Sequence, residues 1–292
     1  MKCRHCNKKL KHTFVDLGRS PPSNSYLNKK SINLPEKCYP LKVLVCSDCW
    51  LVQTHDFVGV SEMFSDEYAY FSSYSSSWLE HSKNYVNQVI QRFNLNGLSN
   101  VVEIASNDGY LLQYFKSNNI PCLGIEPTAG PAFDARKKGI EVIEDFFGEG
   151  LAIKLAEKDR LADLMLANNV LAHVPDINDF VKGFSILLKP QGVATFEFPH
   201  LLNLLEFTQF DTIYHEHYSY LSFTAVQSIF EVNGLSIFDV EELTTHGGSL
   251  RVFVQNSVSG KFQISSSVKR LKNQERIAGV NTLEYYKDFQ YR

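Results

Sequence analysis

The chain has 292 residues, 44% of them hydrophobic and 13% aromatic, enough to bury the core of one large or two ordinary domains. Lysine and arginine number 29 against 32 aspartates and glutamates, a formal net charge of -3, which counts against the basic footprint of a nucleic-acid-binding protein. No apolar run reaches membrane-spanning length, and the N-terminal Met-Lys-Cys-Arg-His-Cys lacks the h-region of a signal peptide, so a soluble cytoplasmic protein is expected.

Five of the six cysteines fall within the first 60 or so residues. In a reducing compartment they read as ligands rather than disulfides. Cys3-x-x-Cys6 and Cys46-x-x-Cys49 are two tight turns, each presenting two thiolates to one edge of a metal. Together they close a tetrahedral structural zinc site with no open position. Cys38, His5, His12 and His55 read as bystanders, because four thiolates already complete the site. Residues 1–62 are therefore expected to form a zinc-binding module.

The next stretch, residues 61–77, is rich in serine and tyrosine, with Tyr68, Tyr70 and Tyr74. Its hydroxyls suit a polar pocket, and its aromatics equally suit packing between modules. A helix follows over about Ser77–Phe93, apolar at Trp78, Tyr85, Val86 and Ile90.

Val101–Ala105 reads as a buried strand carrying Glu103. Ser106-Asn107-Asp108-Gly109 is a tight polar turn, and a helix starts at Tyr110. Strand, glycine-bearing turn and helix make the first βα unit of a doubly wound sheet, which binds ligands beyond the carboxyl ends of its strands. Gly109 alone supplies glycine, so the dinucleotide fingerprint is missing and an NAD(P)-dependent oxidoreductase is disfavoured. The acidic turn suits a cationic ligand, such as the sulfonium and amino group of S-adenosylmethionine, better than a pyrophosphate. Cys122–Glu126 is a second strand ending in an acid placed to accept from two ribose hydroxyls.

Alternation then continues: helix Ala129–Lys138, strand Glu141–Phe147, a helix from Gly148, strand Ala162–Asn168, a helix capped by Asp176 and running through Leu188, a turn at Lys189–Gly192, and strand Gly192–Pro199. Asp145 is placed either to hold an adenine amino group, with Phe146 against the ring, or to cap the helix from Gly148. Asn168 and Asn169 fall beside the ligand. Residues 200–221 are an insertion at the ligand end of the sheet, containing Tyr214-His215-Glu216-His217-Tyr218. Thr224-x-x-Gln227 reads as a capping box. Leu235–Leu243 and Ser249–Asn256 form an antiparallel pair, and 257–292 are polar and helical with no core of their own. The class is α/β, a Rossmann-like domain with a seven-stranded, mostly parallel sheet.

In the insertion an imidazole can take a proton near neutral pH, a carboxylate can orient it, and a tyrosine can donate to an oxygen gaining charge. Extended, the segment puts His215 and His217 on one side; turned, it brings Tyr214 and His217 onto one face. A second metal site at His-x-His ranks below this acid–base reading, since no further ligand is evident.

The motifs Cys3/Cys6 with Cys46/Cys49, Tyr68-Ala-Tyr70-Phe-Ser-Ser, Glu103-Ile-Ala-Ser-Asn-Asp-Gly109, Gly124-Ile-Glu-Pro127, Tyr214-His-Glu-His217 and His246-Gly-Gly-Ser-Leu-Arg251 resemble the nucleotide-sugar C-methyltransferases of deoxysugar biosynthesis. The resemblance covers nearly the whole chain. It implies a class I methyltransferase domain over 63–256, S-adenosylmethionine as methyl donor, a structural zinc, and a nucleotide-linked 4-keto-6-deoxy sugar as acceptor. It implies His217 as the base that takes a proton from the carbon beside the ketone, helped by Tyr214 and Glu216, with His215 in the same cluster. It adds Pro127 and His173 to the donor site formed by Glu103, Ser106–Gly109, Glu126, Asp145, Phe146, Asn168 and Asn169, and assigns Tyr68, Tyr70, His246 and Arg251 to the acceptor. Residues 257–292 correspond to the start of a C-terminal region that extends further in the family. The competing readings are a zinc-ribbon RNA methyltransferase, which wants a basic face, and a non-catalytic nucleoside-binding protein.

Overall fold

The computed structural model describes residues 1–23, 26–56 and 71–292; Tyr68 and Tyr70 lie outside them. One turn, closed by Asn7 N–H to the Cys3 carbonyl, precedes strands β1 (His12–Ser20), β2 (Tyr39–Val45) and β3 (Val52–Thr54), which pair antiparallel in that order. Helix α1 spans Ser76–Phe93. The Ser75 side chain accepts from Trp78 N–H at its start, and left-handed Asn94 ends it, the expected signals at both termini.

The doubly wound core then runs β4 (Val101–Ile104), α2 (Leu112–Ser117), β5 (Cys122–Ile125), α3 (Ala129–Lys137), β6 (Glu141–Ile143), α4 (Glu149–Ala156), β7 (Ala162–Asn168), α5 (Ile177–Leu187) and β8 (Leu188–Pro199). All of β4 is buried, as a parallel strand covered on both faces must be. Helix α6 (Leu201–Glu206), β9 (Ser219–Tyr220), α7 (Phe223–Val232), β10 (Leu235–Leu243), β11 (Ser249–Asn256) and α8 (Ser266–Ala278) complete the order. The large sheet is arranged β10-β11-β8-β7-β4-β5-β6. Strands β8 to β6 in that row are parallel, and β11 is antiparallel to both of its neighbours. These are the seven strands expected. The chain adds β5 and β6 on one side of β4, then β7 and β8 on the other. The order therefore switches between β4 and β7, and that is where a crevice opens.

Several local expectations are corrected. Strand β6 stops at Ile143, four residues short of Phe147. The residues expected to turn at 189–192 already belong to β8, which starts directly after α5 and shifts register against Ala162. Helix α4 is capped by Asp179, whose Oδ1 accepts from Glu149 N–H at 3.2 Å, and not by Asp145. Helix α7 is capped by Ser222, which accepts from Ala225 N–H. Thr224 instead donates its N–H and its hydroxyl to Glu275 of α8, at 2.7 and 2.6 Å. Glu275, fully buried, also accepts from Phe223 N–H and pairs with His200. A carboxylate remote in sequence thus serves the orphan N–H groups of α7.

The tail beyond residue 257 joins cores built by others. Val268 and Leu271 enter the main cluster, while Tyr286 and Phe289 enter the cluster of β1–β3, where Phe289 stacks on Phe14 at 4.5 Å. Strand β9 pairs with β3 through Val52↔Tyr220 and Gln53↔Ser219. The small sheet, order β1-β2-β3-β9, therefore takes its last strand from the insertion. No helix among the described residues is long and apolar enough to cross a membrane.

Candidate active site

A cleft of about 1010 Å³ opens at the switch point. After β4 the backbone turns through Ala105, Asn107 and Gly109, all at positive φ (55°, 49° and 74°). Glycine is favoured at 109 on two counts: its φ, and a Cβ that would sit 2.4 Å from Ile140 Cδ1 and 3.3 Å from Ala135 Cβ. Glu126, at the exit of β5, is 4% exposed and faces the cleft. Its carboxylate accepts from Asn107 N–H at 2.8 Å and Thr128 N–H at 2.9 Å, and also from the Thr128 hydroxyl. Burial pushes its carboxyl up, against the Thr128 hydrogen bonds.

Of the residues anticipated for the donor, Asn107, Glu126, Pro127, Asp145, Phe146, Asn168, Asn169 and His173 line this cleft. Glu103, Ser106, Asp108 and Gly109 form the layer beneath it. Glu103 is fully buried, which pushes its carboxyl well above the usual range against the opposing pull of Tyr110. Asp108 turns to Lys138 at 3.4 Å, so part of the turn's negative charge is already neutralised.

The donor set fits the cationic nucleoside implied by the sequence. The Oδ1 atoms of Asn168 and Asn169 are buried acceptors without a partner. Glu126, Asp145, Asp176, Asp179, Asp211 and Glu216 line the walls, and no lysine or arginine stands among the described lining residues. Glu126 would hold the ribose hydroxyls and the asparagine oxygens the ammonium. Glu126→Gln is expected to weaken S-adenosylmethionine binding about 10- to 100-fold, the scale of one lost charged pair of hydrogen bonds; titration calorimetry checks it.

Across the cleft, residues 214–217 form a turn closed by His217 N–H to Tyr214 O at 3.1 Å. The turned arrangement therefore holds, and the extended one does not. His217 Nδ1 lies 2.8 Å from the Thr212 carbonyl, which can only accept, so Nδ1 carries the proton. Nε2 is left to accept from the Tyr214 hydroxyl at 2.8 Å. The His173 ring packs edge-on against His217 at 4.7 Å. Glu216 lines the cleft and accepts from the Ser23 hydroxyl at 3.0 Å. His215 points away, to the Pro40 carbonyl at 3.2 Å.

The anticipated acceptor residues separate. His246 lines the cleft, edge-on to Trp78 at 5.2 Å. Arg251 lies beneath it, 3% exposed, paired with buried Glu197 at 2.6 Å and with Glu241, and stacked on Tyr85. Trp78, Gln209 and Thr212 line the cleft without having been anticipated. Thr212 acts through its carbonyl, which every residue has, so no sequence signal could have marked it.

Burial holds His217 down to about 3, with His173 adding to the effect, and holds His173 down to about 4. Both rings are neutral at neutral pH. An unfolded histidine titrates near 6.5, so below that pH the unfolded chain takes up protons that the folded one refuses. Stability should therefore fall as pH drops from about 6.5 towards 4, by up to about 1.4 kcal/mol per pH unit for each ring. The urea midpoint is expected to fall less steeply across that window in His173→Gln.

The four cysteines Cys3, Cys6, Cys46 and Cys49 have sulfurs within 4.8 Å of one another. Cys3–Cys49 and Cys6–Cys46 are each 3.5 Å apart. A tetrahedral zinc with Zn–S of about 2.3 Å sets its sulfurs about 3.8 Å apart, so the cluster fits the metal. Gln53 Nε2 donates to Cys3 Sγ at 3.2 Å, an outer contact that steadies a thiolate. Cys38 is not in the cluster.

The chain matches a family model described as "Putative zinc binding domain" over residues 3–64, one described as "Methyltransferase domain" over 78–240, and one described as "C-methyltransferase C-terminal domain" over 244–292. It is 31% identical over 287 residues to C-methyltransferase NovU of Streptomyces niveus, across 98% of this chain and 68% of that one. The solved structure of PH0226 from Pyrococcus horikoshii shares the fold, with TM-score 0.52 and 14% identity, over 69% of this chain and all (100%) of that one. Magnesium protoporphyrin IX methyltransferase from Synechocystis, with bound SAH, overlays with TM-score 0.48 and 15% identity, over 61% of this chain and 83% of that one.

Proposed function

This chain belongs to the zinc-bearing, S-adenosylmethionine-dependent C-methyltransferases, and from that premise we propose that His217 takes the proton from the carbon beside the ketone of a nucleotide-linked 4-keto-6-deoxy sugar. The observation that carries the proposal is the pair of 2.8 Å contacts on its ring, Nδ1 to the Thr212 carbonyl and Nε2 to the Tyr214 hydroxyl. They leave an unprotonated nitrogen on a neutral, buried imidazole at the cleft wall.

A carbon nucleophile requires loss of that proton, so a base must stand at the carbon and a donor at the carbonyl oxygen. The proton passes to Nε2, and the C–H electron pair becomes the enolate. Tyr214, released from Nε2 when the sugar enters, donates to the enolate oxygen. Glu216, on the same wall, offsets the charge of the imidazolium. Bound S-adenosylmethionine supplies the methyl group: the new C–C bond forms as the C–S bond breaks. The chain's part in that step is alignment, with Glu126 and His217 both on the cleft lining. The sugar class rests on the motifs shared with the nucleotide-sugar enzymes, and the hydroxyl and amide groups of the walls agree with it.

The test is incubation with a nucleoside-diphosphate 4-keto-6-deoxyhexose and S-adenosylmethionine, reading methylated product by mass. A second readout is loss of the α-proton to heavy water when the methyl donor is left out. No product and no exchange across a panel of such sugars sinks the proposal.

A further inference from the structure

We infer that Arg4 and Thr54, both in the N-terminal zinc module, are positioning residues for the reaction, because they set the His217 turn through its backbone. Arg4 lies between the ligands Cys3 and Cys6. Its side chain is 5% exposed, and its guanidinium joins three segments. Nη1 donates to the Pro175 carbonyl at 2.8 Å. Nη2 donates to the Thr54 carbonyl at 3.1 Å and to Asp56 at 2.7 Å. The plane covers the Tyr218 ring at 5.1 Å.

Thr54 carries the connection onward. Its hydroxyl donates to the His217 carbonyl at 3.1 Å, and its N–H donates to the Tyr218 carbonyl at 3.1 Å. Its neighbour Gln53 ties back to the metal knuckle, accepting from Arg4 N–H at 2.9 Å and donating to Cys3 Sγ. Pro175 lines the cleft two residues after His173. The first knuckle thus clamps both sides of the His173–His217 contact. Such a junction needs a rigid, planar fork with several donors; a lysine ammonium cannot span the three acceptors in the same geometry.

Loss of either link frees the turn that sets the Tyr214–His217 contact. A misplacement of about 1 Å at a reacting group costs about 100-fold, and partial loosening is expected to cost about 10- to 100-fold in kcat. A purely structural role for Arg4 predicts lower stability or zinc content, with the His217 ring unmoved.

The experiment uses the whole zinc-loaded chain with 15N-labelled histidine. The His217 nitrogens are assigned by their disappearance in His217→Asn. In Thr54→Val, and in Arg4→Lys where zinc is retained, we expect the His217 nitrogen resonances to shift or broaden. Turnover of a nucleoside-diphosphate 4-keto-6-deoxyhexose should fall by the factor given, with KM for S-adenosylmethionine unchanged. If Arg4→Lys loses zinc, Thr54→Val decides. Unchanged His217 resonances and rate in Thr54→Val overturn the positioning role. The inference rests on His217 as the base, and the two fail separately. Turnover retained in His217→Asn removes the base, whatever the spectra show. An inactive His217→Asn beside a wild-type Thr54→Val removes only the positioning.

Discussion

His217→Asn is expected to lower methyl transfer by about 10²- to 10⁴-fold, the usual contribution of a general base, with S-adenosylmethionine affinity unchanged. Asparagine still fits the turn, and its amide can meet the Thr212 carbonyl in place of Nδ1, but it falls short of the Nε2 position beside the Tyr214 hydroxyl and has no nitrogen able to hold a substrate proton. Asn107, Glu126 and Asn168 of the donor half stand at the ends of β4, β5 and β7, whereas His217 is carried by the insertion turn. Calorimetry with the donor and turnover with the keto-sugar nucleotide separate the two halves. Near-wild-type methylation by the variant removes His217 from the base role, and lost donor binding moves its effect to folding.

Stripping the zinc is expected to have the largest effect on stability. Cys3, Cys46 and Cys49 are buried within the main hydrophobic cluster, beside Leu10 and Leu51. Without metal, four protonated thiols crowd within 4.8 Å with nothing to tie the two turns together, whereas metal binding releases those protons and closes the turns. Structural zinc supplies roughly 10 kcal/mol or more to small metallodomains, comparable with the whole stability of an ordinary domain. Exhaustive chelation should therefore lower Tm by well over about 10 °C. It should abolish methyl transfer as well, because β9 and the His217 turn hang on β3. Cys49→Ser should behave likewise. A chelated, metal-free chain melting at the wild-type temperature contradicts this account.

Much of the site was legible because it follows from neighbours in sequence. Gly109 marks a left-handed turn, Glu126 marks the exit of a strand, and Tyr214 with His217 are spaced to meet across one turn. Glu126, Tyr214 and His217 line a single cleft, and Gly109 turns the chain in the layer beneath it. What was not legible comes from pairings between distant residues. Arg251 was grouped with the acceptor, yet it is buried against Glu197 and Glu241. His215 shares a tripeptide with His217 and faces the other way, because a turn rather than a strand carries it. The capping box expected at Thr224 gave way to Ser222, since the Thr224 donors are drawn off by Glu275, a residue 51 positions later.

By itself the amino-acid order determined the zinc knuckles, the alternation of strand and helix, and the acid at the end of each of the first two core strands. Each depends on spacing within a few residues, where backbone geometry alone sets what side chains can reach. Only the tertiary structure decided that the zinc module and the insertion share one sheet. That pairing joins residues 52–53 to 219–220, and nothing local encodes it, because its energy comes from backbone hydrogen bonds and apolar burial that exist only once the two segments have met.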